Sequence, residues 1–407
     1  MLRRLLILTL LIGAWSARES AAQRPPKAGA PLVLAHYMPW FESKEISGKW
    51  GWHWTMGRLN PDVIDAQDKR QIAAHVYPLI GPYDSADPDV LEYHTLLMKL
   101  SGIDGVIADW YAAEDRNDYA MIHQRTQALF KMCKRRGLQF AVCYEERIVK
   151  SKGATLEMPV TKQQIAEAHR HLEYCCDEWF KDPLYVKWQK QPILVSYGPE
   201  TFQPSDWSGI LPGLKPKPAL FLLHKLQPPA AGSFVWPPMW ASTQGVLEGT
   251  VLKDYLNRFY AEDGIQMGGV FPGFHDFYQE AGVSPSHGFL DARDGEVFRE
   301  TLQRALASDC PFIQVITWND FGEGTTVEPA REYEYKYLEQ LQKARASQPS
   351  KRRYRAQDLR LPLRVFNLRK SKLPADSAES ESLDRAVDLL FAGEAGRAAK
   401  ILDNLER

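Results

Sequence analysis

Short apolar runs alternate along the chain with longer amphipathic stretches. The runs are Leu32–Met38, Ala74–Ile80, Asp104–Asp109, Gln139–Tyr144, Ile193–Tyr197, Ala219–Leu223, Gly268–Phe271 and Phe312–Thr317. They are rich in Val, Ile, Leu and Phe and apolar on both faces, the pattern of parallel strands covered on two sides. Between them lie helical patterns with end signals. "DPDVLEYHTLLMKLSG" opens on Asp and Pro and ends at Gly102, and "YAMIHQRTQALFKMCKRRG" ends in a basic turn and Gly137. "TKQQIAEAHRHLEYCCDEWF", "LEGTVLKDYLNRFYAEDG", "GEVFRETLQRALASD" and "REYEYKYLEQLQKARAS" follow the same logic, while Pro204 to Pro218 reads as loop. Eight strand–helix alternations predict an α/β fold, a (β/α)8 TIM barrel over residues 31–347.

The ends of the chain differ from this middle. Arg3 and Arg4, an apolar Leu5–Trp15 and small residues through Ala22 predict a signal peptide over residues 1–22, too short to span a bilayer. The expected location is secreted or periplasmic, with no membrane span in the mature chain. Residues 351–407 begin basic, turn acidic and become helical on either side of Gly393, which predicts a basic linker and a small C-terminal helical hairpin.

Composition narrows the function. Among 407 residues, 44% are hydrophobic and 25% charged, and the net charge is −1, so no global field favours nucleic acid. The five Cys form no disulfide framework or zinc spacing and read as small buried hydrophobes. No metal or other cofactor is expected. Twelve Trp and 17 Tyr supply either flat platforms in a cleft or an aromatic core.

Active sites of such barrels form at the C-terminal ends of the strands. Polar and aromatic residues gather there: Tyr37 and Trp40, Asp84, Asp109 and Trp110, Glu145, Tyr197, His224, His275, and the stretch "ITWNDFGEGTTVEP" with Trp318 and Asn319. "KWGWHWTMG" adds His53 and Trp54; its alternating Trp residues share one side if extended. Each residue also has a bland reading: Asp84 as a helix cap, Asp109 as a partner of a neighbouring base, the Trp set as packing. Gathered on one rim, they suit a sugar, whose C–H faces stack on rings and whose hydroxyls need paired donors and acceptors. An oligosaccharide or polysaccharide is the expected partner.

Asp320 and Glu323 stand three apart in a loop where Gly322 and Gly324 permit sharp turns. An apolar wall raises a carboxyl pKa and a second charge splits the pair, giving one proton donor and one anion, as glycosidic cleavage requires. A helix cap or local ion pair is the structural alternative.

"HYMPWF", "WHW", "GPYDSADPDVLEYHTLLMKLSGIDGVIADWY" and "ITWNDFGEGTTVEPA" together resemble glycoside hydrolase family 99, (β/α)8 enzymes typified by endo-α-1,2-mannosidases, over roughly Pro31 to Ser347. The resemblance implies Glu323 as general acid/base and Asp320 as the group engaging the substrate 2-hydroxyl, which attacks the anomeric carbon with net retention. It also implies that the strand-end residues above bind sugar and that no metal takes part. The family loop has Glu-Trp-His-Glu where this chain has Asp320-Phe321-Gly322-Glu323, so the first acid is shorter by a methylene, roughly 1.5 Å. The motif is also similar to glycoside hydrolase family 71, the α-1,3-glucanases. Three other readings stand beside it: a glycosidase using Glu145 and Asp276, a glycan-binding barrel without catalysis, and a metal-dependent barrel hydrolase, against which no His-x-His follows the first strand and His169 and His171 face apart on a helix.

Overall fold

The computed structural model describes residues 29–150, 155–224, 226–242, 244–346, 354–371, 374 and 377–407. The expected signal peptide lies outside these residues. No helix among the described residues is long and apolar enough to cross a membrane.

Eight parallel strands close on themselves: β1 (Leu32–Tyr37), β2 (Gly105–Trp110), β3 (Gln139–Glu145), β4 (Gln191–Tyr197), β5 (Ala219–Leu223), β6 (Gly232–Phe234), β7 (Ile265–Val270) and β8 (Phe312–Val315). Closure is made by β1, which pairs with β8 through Leu32–Phe312 and with β2 through Leu34–Gly105. β3 pairs directly with β4. Every residue of β2 is buried, as the unbroken apolar runs require of strands with a filled barrel inside and helices outside. Each fully buried Val or Ile contributes about 1.5–3 kcal/mol to the fold.

Seven of the eight expected strands form. Ala74–Ile80 does not: it is an irregular loop over the rim, with one isolated bridge from Pro78 to Ala330. Pro78 has no N–H for a ladder, and a central strand rejects it. The true sixth strand, β6, is only three residues long and begins at Gly232. A Cβ there would stand 2.3 Å from Phe221 Cε1 and 2.8 Å from Ile265 O, so a glycine, which weakens the strand signature, is what lets β5 and β7 approach.

The outer helices are α1 (Pro88–Ser101), α2 (Tyr119–Arg136), α3 (Lys162–Glu178), α4 (Gly249–Ala261), α5 (Glu296–Ala307) and α6 (Lys336–Arg345). Asp87 caps α1 by accepting from Asp89 N at 2.9 Å, and Gly102 ends it with φ 90°. Thr161 and Gln164 form a capping box on α3. α6 starts five residues later than the sequence pattern suggests, because residues 331–335 turn back onto the loop after β8.

Beyond the barrel, α7 (Leu361–Lys370) occupies part of the stretch expected to be linker. α8 (Ala378–Ala392) and α9 (Ala395–Leu405) form the expected hairpin about Gly393, whose φ is 86°. These helices rest on α1. The buried Glu92 accepts from Arg136 at 2.6 Å and from Arg369 at 3.0 Å, and Lys370 meets Asp87 at 2.5 Å and Asp89 at 3.1 Å. All five cysteines are buried.

Candidate active site

A cavity of about 510 Å³ opens at the C-terminal ends of the strands. Its polar wall is made of His36 from β1, Asp109 from β2, Glu145 and Arg147 from the end of β3, Tyr197 from β4, and Asp320 and Glu323 after β8. Trp40, Trp52, His53, Tyr111, Trp236, Trp240 and Tyr278 supply aromatic surface, and Met38, Met56 and Met239 fill between.

The loop carrying the two carboxylates is held from both sides. Asp320 N donates to Thr317 Oγ at 2.8 Å, and Asp320 Oδ1 accepts from Glu323 N at 3.0 Å. Across from it, His275 N donates to Glu323 O and Phe277 N to Gly322 O, both at 2.9 Å. Gly324 has φ 66°, and a Cβ on it would lie 2.6 Å from His275 O. Phe321 is buried against Phe41 and Trp54, with ring centroids 6.0 and 5.5 Å away. The backbone thus turns Asp320 and Glu323 to one side and Phe321 to the other.

Burial pushes the Asp320 carboxyl up to about 7, with the charges of Asp109 and Asp276 adding to the shift and the N–H groups of Glu323 and Gly322 opposing it. Glu323 is raised well above the usual carboxylate range, first by burial and then by the charges of Asp320 and Asp276; a hydrogen bond from Trp236 and the Arg147 charge work against this. Burial thus holds both carboxyls toward their protonated forms. Glu145 is also pushed up, by burial and by Asp109, with Arg147 opposing. Arg147 spans two carboxylates, Glu145 and Glu200, each at 3.1 Å. Glu323 Oε2 and Asp109 Oδ1 are buried oxygens without a hydrogen-bond partner, the latter 3.8 Å from His36 Nε2. Buried acceptors left open at a cavity wall are sites for an incoming hydroxyl.

Among the residues expected from the sequence, Trp40, His53, Asp109, Glu145, Tyr197, Asp320 and Glu323 line this cavity. Trp40 stacks on His53 at 4.1 Å, and His53 meets Asp118 at 3.1 Å. The others do not line it. Trp54 and Trp110 are core residues, their indole N–H groups donating to Tyr83 O and His123 Nδ1. Asp84 anchors Ser43 N at 3.0 Å and Arg125 at 3.1 Å; it is not the cap of α1. His224 borders a separate hollow, and His275 faces outward, stacked on His75.

Tyr37, Trp318 and Asn319 lie beneath the cavity floor. Tyr37 bonds His94 at 2.9 Å, and His94 meets the buried Glu328 at 3.2 Å. Tyr83 donates to Glu328 at 2.7 Å, and Asn319 holds Met38 N at 2.8 Å and Met38 O at 3.0 Å. Trp318 packs edge-on to His94. Asp276 accepts from His287 N at 2.7 Å and Ser286 Oγ at 3.0 Å, and so fixes its own turn. The tryptophans of residues 50–54 do not share a face: Trp52–Thr55 is a helical turn that exposes Trp52 to the cavity mouth and buries Trp54.

Sequence reasoning missed His36, Tyr111, Arg147, Trp236 and Tyr278. Strand parity could have found His36, since neighbouring residues of a strand point to opposite faces and His36 and Tyr37 cannot both enter the cavity. Trp236 follows the unrecognised β6.

The glycosyl hydrolase family 99 profile matches residues 30–215, which carry β1 to β4 but not the loop with Asp320 and Glu323. Glycoprotein endo-α-1,2-mannosidase of Mus musculus is 21% identical over 337 residues, covering 74% of this chain and 68% of that protein. The Rattus norvegicus protein of the same name is 22% identical over 339 residues, with the same coverage. The family 99 endo-α-mannosidase structure from Bacteroides thetaiotaomicron superposes with a TM-score of 0.57 at 17% identity, covering 79% of this chain and 98% of that one. The barrel and its strand order on one side, and the sequence match over β1 to β4 on the other, agree in a likeness to glycoside hydrolase family 99.

Proposed function

We propose that the chain is a glycosidase cleaving α-linked glycans, endo-α-1,2-mannosidase-like and retaining, secreted or periplasmic. The observation that carries the reading is the pair Asp320 and Glu323, delivered by one loop to one cavity and both raised by burial.

Glu323, whose carboxyl burial holds toward the protonated form, donates its proton to the departing glycosidic oxygen. Asp320, as the carboxylate, accepts the proton of the sugar 2-hydroxyl as that oxygen closes on the anomeric carbon. Departure of the leaving group and ring closure leave a 1,2-anhydro sugar. Glu323, now ionised, takes a proton from the water that attacks the anomeric carbon, while Asp320 returns its proton to the sugar O2 as the C1–O2 bond breaks, so both carboxyls are restored with retention over the two steps. Trp236 holds the Glu323 carboxylate, and Arg147 favours the anion at Glu145, where a sugar hydroxyl needs an acceptor. Trp40 and the exposed Trp52 and Trp240 at the mouth offer faces for neighbouring sugar rings.

The test is hydrolysis of α-1,2-linked manno-oligosaccharides, with the product anomer followed by NMR and α-1,3-glucan as the comparison substrate. Glu323→Gln is expected to lower kcat by about 10²–10⁴ while leaving substrate affinity within a few fold. Wild-type turnover by Glu323→Gln removes the assignment. Cleavage of α-1,3-glucan in preference to mannan moves the substrate and keeps the chemistry.

A further inference from the structure

On the outer side of the loop that carries Glu323, two imidazoles and a carboxylate converge. His75 and His275 stack with centroids 3.6 Å apart and planes within 4°. His75 Nε2 lies 3.2 Å from the backbone carbonyl of Asp276 and 3.7 Å from Glu280 Oε1, and one ligand atom from each of His75, His275 and Glu280 falls within a 4.8 Å span. His75 comes from the irregular loop before α1, His275 from the segment after β7, and Glu280 from the turn that follows it. Three separate stretches of chain therefore meet at one point, and none of these side chains lines the cavity that holds Glu323.

Imidazole and carboxylate together match the borderline divalent transition metals rather than calcium or magnesium. An ion held between them takes the exposed His275 ring out of the stack and His75 Nε2 away from Asp276 O, and water completes its shell.

We propose that His75, His275 and Glu280 form a surface site for a divalent transition metal, with Zn²⁺ the best-matched ion. The site is separate from catalysis but joined to it. His275 N donates to Glu323 O and Phe277 N to Gly322 O, so an ion that fastens His275 to the loop of His75 fastens the carboxylate loop as well. The role is structural: the bound ion braces the outer wall of the active-site loop.

The experiment is isothermal titration of tag-free, chelator-stripped full-length protein with Zn²⁺, paired with thermal unfolding with and without the ion. Saturable binding of one ion per chain is expected, weakened at least ~10-fold by H75A and by H275A and to a lesser degree by E280Q. A Zn²⁺-dependent rise in Tm is expected in the wild type and absent in H275A. The variant H275Q, with circular dichroism matching wild type, guards against a merely misfolded H275A. Absence of saturable binding overturns the proposal. So does binding that survives H275A and is lost in H36A, which would put the ion in the cavity beside Asp109 and Cys143. Glycosidase activity in chelator reads the other proposal independently, because no catalytic step here uses the metal.

Discussion

Replacing Asp320 by Asn should stabilise the protein while destroying its activity, and the size of the effect can be worked out. The carboxyl of Asp320 has its pKa raised from 3.8 to about 7 by burial. Between those values the folded chain keeps a proton that the unfolded chain has released. Stability therefore falls as pH rises through this window, and the full penalty is in force above about 7. At about 1.36 kcal/mol per pKa unit, the buried charge costs the fold about 4 kcal/mol at pH 8 and roughly 1–2 kcal/mol at pH 5. Asn keeps an acceptor for Glu323 N but loses the strength of a charged one, which returns about 1 kcal/mol. The net expectation is a gain of about 2–3 kcal/mol at pH 8, shrinking toward zero at pH 5, measured by urea denaturation of both proteins at the two pH values. A D320N protein no more stable than wild type at pH 8, or one whose advantage grows toward acid, refutes the reasoning. The Asp320 charge would then be solvated in the folded state.

The remaining predictions concern neighbouring groups. Trp236→Phe removes a hydrogen bond that favours the ionised form of Glu323, so the basic limb of the pH–rate profile should move to higher pH; an unmoved limb separates Trp236 from the acid. Gly324→Ala forces a left-handed φ on alanine and places its Cβ 2.6 Å from His275 O. It should cost about 1–3 kcal/mol and lower kcat, read by denaturation and by turnover. Glu92→Gln removes the buried anion shared by Arg136 and Arg369, leaving them only the exposed Asp388 and Asp384. Limited proteolysis should then release the helices after residue 354 faster than in wild type, by a factor set by about 2–4 kcal/mol.

Much of the barrel could be read from the chain because buried parallel strands leave unbroken apolar runs. The two errors share a cause. Ala74–Ile80 is as apolar as a strand but lines the rim, where Pro78 does no harm; Gly232–Phe234 is a strand made by tight approach, which demands a glycine and three residues rather than a long run. At the site, the loop residues Asp320 and Glu323 stood out because two acids among glycines are hard to explain by packing. The strand ends were harder. His36 against Tyr37, and Asp109 against Trp110, differ only in which face they present, and the sequence does not announce the phase of a strand without a fixed reference. Trp54, Trp318 and Asn319 look functional beside catalytic residues but support them from below, through contacts 29 to 281 positions distant in the chain, such as Trp54 to Tyr83 and Asn319 to Met38, which no local pattern records.

β6 is the shortest stave of the barrel, joined to each neighbour through three registered residues, and it runs directly into Trp236. A ring of staves leaks first where the overlap is least. Breathing at this seam would lift the indole from Glu323 and admit solvent to the acid, so the lifetime of its proton is tied to the exchange of the Ser233 and Phe234 amides. Faster deuterium uptake there than in β2 would mark the seam as the gate through which the acid equilibrates with bulk water.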